Sequence, residues 1–128
     1  DLEALKISGY DGEKWKDAVS LSDMMKLLAE KSKGSILAGF MVMSDYAFID
    51  AAATKTGIPL DIHRRILDIN SFAVAKLGVP FGENGLSSFM RMLNINFNNH
   101  HTALADAVAS FELYRAALSV SRETMPSK

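Results

Sequence analysis

Apolar and polar positions along the chain alternate between two rhythms. Leu21, Met24, Met25 and Leu28 recur at helical spacing. Ser20-Leu21-Ser22-Asp23 ahead of them resembles a capping box with Asp in the place of Glu. The cationic Lys31-Ser32-Lys33 followed by Gly34 closes that helix. Residues 35–43 then form a short, continuous apolar run, which predicts a strand buried on both faces, as in a parallel sheet. Ser44 is the expected cap of a helix from about Asp45 to Thr56, with Phe48, Ile49, Ala52 and Ala53 as its inner stripe and Gly57 and Pro59 as its stop. A second strand is expected over residues 65–69, and Asn70 or Ser71 should cap a short helix that ends at Gly78.

Beyond a loop at 78–85, a helix is predicted over 86–93 and an Asn-rich loop over 94–100. The last helix should run from about Thr102 to Val120, with Leu104, Val108, Phe111 and Leu118 facing the core. Residues 1–16 read as irregular, and the tail after Arg122 as frayed. The order helix, strand, helix, strand, then three helices indicates an α/β domain. Two strands do not make a durable sheet by themselves, so something beyond them is expected to cover the sheet edges.

The 128 residues are 48% hydrophobic and 23% charged, as in a single soluble domain. The net charge of −1 argues against binding nucleic acid through a broad basic surface, although metal ions can neutralise an acidic cleft locally. With no cysteine there is no disulfide, thiolate nucleophile or cysteine metal site, which fits a cytoplasmic protein. The apolar run 36–43 falls far short of the ~20 residues needed to span a bilayer, and the N-terminus has no signal-peptide pattern. The first residue is Asp1 rather than Met, so it is expected not to be the natural start.

Chemistry concentrates in two places. Asp45 follows the first apolar run, where α/β proteins place ligands at the carboxyl ends of strands; the alternative is a first-turn carboxylate that complements a helix dipole. His101-Thr102-Ala103-Leu104-Ala105-Asp106 puts a histidine on a loop and an aspartate early in the following helix. The alternative there is an exposed loop His and a capping-turn Asp. His100 misses the spacing by one residue. Asp68 reads first as a strand end, Arg64 and Arg65 as a solvated pair, His63 as a surface residue, and Trp15 and Phe81 as loop anchors. Met24, Met25, Met90 and Met92 read as core filler.

The run from Ile36 through Asp45-Tyr46-Ala47-Phe48-Ile49 resembles the second motif of the DEDDh-type 3′–5′ exonucleases, and His101 through Asp106-Ala107 resembles their third. Residues 65–69 are similar to the intervening strand, and residues 48–58 to the helix after motif two in the ribonuclease T and polymerase-proofreading branches. Phe40-Met41 stands where the family commonly has His-Asn, and Ser44 where a Phe usually precedes the aspartate. The family's opening Asp-x-Glu lies upstream of motif two on a central strand. Asp1-Leu2-Glu3 spells that pattern without a strand-like surrounding and sits where a later part of the family should be. The resemblance therefore implies a ribonuclease H-like fold in N-terminally truncated form, helix-rich, with about two parallel strands left. Residues 1–128 would be the C-terminal portion of one exonuclease-like domain.

In the intact domain the resemblance implies that Asp45 and Asp106 join an upstream Asp and Glu in holding two Mg²⁺ or Mn²⁺ ions, with His101 as general base. The implied activity is release of nucleoside 5′-monophosphates from single-stranded or frayed 3′ ends of DNA or RNA, with the fragment alone inactive. The ribonuclease T likeness allows a homodimer. Two other readings are a non-catalytic nucleic-acid-binding or protein-interaction module on a degenerate exonuclease fold, and an unrelated helical interaction domain.

Overall fold

The computed structural model describes residues 11–13, 15–82, 85–96 and 102–120. The expectations for residues 1–10, for His100 and His101, and for the tail after Arg122 lie outside the described residues. Helix α1 (Leu21–Lys31) leads into β1 (Ala38–Gly39), α2 (Met43–Thr56), β2 (Leu67–Asp68), α3 (Ile69–Leu77), α4 (Leu86–Met92) and α5 (Ala103–Ser119). The result is a helix-rich α/β arrangement around one pair of parallel strands, joined through α2 as a parallel pair requires. Ala38 pairs with Leu67 and Gly39 with Asp68, with an isolated bridge between Ser35 and Ile62 ahead of them. Among the described residues no helix is long and apolar enough to cross a membrane.

Local chemistry explains where the helices begin. The Ser20 hydroxyl accepts the Asp23 N–H at 3.1 Å and donates to Asp23 Oδ2 at 2.7 Å, so the shorter Asp side chain meets the capping hydroxyl. Asp68 serves twice. Its extended backbone closes β2, and its Oδ1 accepts the Ser71 N–H at 2.7 Å to cap α3. The cap expected at Asn70 or Ser71 is therefore moved upstream, because an aspartate in extended conformation already satisfies the free N–H groups. Gly57 and Gly78 end α2 and α3 in the left-handed conformation, as their positions in the sequence predict.

Other expectations fail. The strand expected over residues 35–43 shrinks to Ala38–Gly39, because the chain bends through Phe40, Met41 and Val42 into α2. Met41 adopts φ 56° in that bend. The helix consequently starts at Met43 with Val42 in the cap position and no capping side chain, so Ser44 is not the cap. Nor is the run buried on both faces: Leu37 and Gly39 are half-buried while Ile36 and Ala38 are exposed. Phe48 likewise faces outward on α2 at 80% exposure, leaving Ile49, Ala52 and Ala53 half-buried.

A further failure is on α5. Leu104, Val108, Phe111 and Leu118 are all more than half exposed, and the buried face is Ala109, Ser110, Leu113 and Ala117. Helix axes come close only where the residues between them are small, and α5 packs chiefly on α3 and α4. Its small-residue face is therefore the one turned inward. There Ile69, Ala73, Phe89, Met90, Ala109 and Leu113 form the core, with Phe40 edge-on to Phe89 at 6.1 Å between ring centroids. Met25 and Met90 are buried core filler as expected, but Met24 and Met92 are 37% and 48% exposed. Trp15 and Phe81 are more exposed than loop anchors should be, at 56% and 72%.

Phe89 is fully enclosed, so Phe89→Ala should destabilise the protein by about 3–5 kcal/mol in denaturant titration; a loss under ~1 kcal/mol would mean that this is not the core. Hydrogen bonds from Ser20 and then Lys26, with the Lys26 charge, hold the Asp23 carboxyl below its ordinary value of 3.8. That contribution is present above the ordinary value and is lost as pH falls through the lowered one. Thermal melts between about pH 6 and pH 2 should therefore fall more steeply for the wild type than for Asp23→Asn. Equal slopes would show that the contact has no thermodynamic weight.

Candidate active site

A cleft of about 760 Å³ opens among β1, the start of α2, the start of α4 and the first half of α5. Its walls include Leu37 to Phe40, Val42, Asp45, Ile49, Leu86, Ser87, Asp106 and Ser110. The cleft follows β1 and touches no residue of β2. Among the described residues β1 has a ladder partner on one side only.

Asp45 and Asp106, far apart in sequence, both line this cleft. Each stands in the first turn of its helix, Asp45 on α2 and Asp106 on α5. The two readings of Asp45 are thus compatible, since a first-turn position favours a carboxylate and here also aims it at a cavity. Helix α5 is set by Thr102, whose Oγ1 accepts the Ala105 N–H at 3.2 Å and whose carbonyl accepts the Asp106 N–H at 3.0 Å. One turn on, the buried Ser110 hydroxyl donates to the Asp106 carbonyl at 2.7 Å, a bond within α5 that satisfies a buried polar group. At the other wall, a Cβ on Gly39 would stand 3.3 Å from Val42 Cγ2, a close approach that a larger residue would obstruct.

Among the described residues neither carboxylate has a hydrogen-bond or ion-pair partner. Asp106 is half-buried and Asp45 exposed. Among the described residues no lysine or arginine lines the cleft, and the two carboxylates supply oxygen donors on its walls. Hard oxygen donors of this kind suit Mg²⁺ or Mn²⁺. Two are fewer than a two-metal centre requires, and the described residues contain no group of three side chains able to hold a metal.

Of the other described candidates, Asp68, His63, Arg64 and Arg65 do not line the cleft. His101 lies outside the described residues. Asp68 is the α3 cap described above, which is the structural role its position suggested. His63, Arg64 and Arg65 are exposed, and the His63 Nδ1 accepts the Arg65 N–H at 3.0 Å in a surface turn. Phe40, which stands where the resembled family commonly has a histidine, packs on Phe89 and lines the cleft as well. Ser87 and Ser110 were not anticipated. For Ser110 a signal was present, because residue 110 lies one helical turn beyond Asp106 on the same face. For Ser87 there was none, since only the tertiary fold brings α4 to the cleft.

Comparison with known proteins gives one informative likeness. The chain is 25% identical over 118 residues to a PolC-type DNA polymerase III of Caldanaerobacter subterraneus subsp. tengcongensis. The match takes in 92% of this chain and 8% of the polymerase, so the chain spans a small fraction of that relative's length. No family model matches the chain, and no solved structure matches it.

If the carboxylates face one space, Mn²⁺ should broaden the amide resonances of Ser87 and Ser110 in the isotope-labelled protein before those of α1. Asp45→Asn combined with Asp106→Asn should remove that preference. Broadening that persists in the double variant would put the ion elsewhere.

Proposed function

We propose that this chain carries half of the metal site of a 3′–5′ exonuclease of the DEDDh type. The observation that carries the proposal is that Asp45 on α2 and Asp106 on α5, far apart in sequence, line one cleft. The likeness to a DNA polymerase points the same way as the resemblance to the proofreading branch of that family, and favours DNA as the substrate. The fold reading that goes with it is ribonuclease H-like, and the parallel pair β1–β2 with helices around it is compatible with the later strands of such a sheet.

In this reading a further strand lies beside β1 along the cleft and brings the two remaining acidic ligands. Its support is physical. Strands of two residues form a poor sheet by themselves. The outward-facing Ile36 and Phe48 leave apolar surface without cover on the elements that border the cleft. Residues 1–128 would then be the C-terminal portion of a single domain.

Asp45 and Asp106 would hold the divalent cations. Ions bound there supply an acidified water and offset charge on the attacked phosphate. The chain's own residues do the rest. Thr102 caps α5 one turn ahead of Asp106, the Ala109–Ser110–Leu113–Ala117 face packs that helix on the core, and Phe40 holds the end of β1 against Phe89. His101 directly precedes the Thr102 cap in sequence and would take the proton from the attacking water. Its ordinary pKa of about 6.5 suits transfer near neutral pH. In this reading the substrate is a single-stranded or frayed 3′ end, whose terminal nucleotide would enter the cleft, with nucleoside 5′-monophosphates as products.

One observation favours a second reading, a non-catalytic module on the same fold: the described residues hold two candidate metal ligands and no third. The test is an oligonucleotide assay on the full polypeptide with Mg²⁺ or Mn²⁺. Shortening from the 3′ end, abolished in Asp106→Ala and cut at least ~100-fold in His101→Ala, is the expected result. Undiminished activity in Asp106→Ala would sink the assignment. Tight binding of the oligonucleotide without any shortening would establish the second reading.

A further inference from the structure

No further inference is drawn: the strongest candidate, the exposed apolar stripe of Leu104, Val108, Phe111 and Leu118 along the outer face of α5, is an unpartnered helix face, and nothing in the structure shows what covers it.

Discussion

Everything at the cleft depends on how closely α5 approaches α3 and α4. Ala109, Ser110, Leu113 and Ala117 make a low-relief face that meets the core around Phe89, and this contact sets the rotation of the helix. With that rotation fixed, Asp106 stands at the edge of the buried face and opens on β1. A turn of the helix that buried Leu104 and Phe111 instead would swing the carboxylate away. Van der Waals packing of small residues thus determines where a charged group points.

The second constraint is electrostatic. Two first-turn carboxylates share one cleft, with no lysine or arginine along its walls among the described residues. Each gains from its helix dipole, a favourable term of a few tenths to about 1 kcal/mol that fades beyond the first turn.

Much of this was legible in the residues. Local signals held at Ser20, which caps α1, and at the glycines that end α2 and α3. The parallel pair was legible from two apolar runs flanking a helix, and its short length was not, because the bend at Met41 is a backbone feature with no composition signal. Periodicity misjudged α5 for an instructive reason. The helix carries two apolar stripes, one bulky and one small, and hydrophobicity alone selects the bulky one. The tertiary contact selects the small one. The outward turn of Phe48 and Ile36 was equally invisible, since a buried strand and an uncovered one share the same residues.

Asp45 and Asp106 were legible as candidates from their positions after a strand and at a helix start, whereas their meeting is a property of the fold. The most direct test is a crystal of this protein grown with Mn²⁺ and measured at the manganese absorption edge. The account predicts an anomalous peak in the cleft within bonding reach of both carboxylates, with the free side of β1 facing it. A peak bound elsewhere, or side chains of Asp45 and Asp106 turned to separate surfaces, would contradict it.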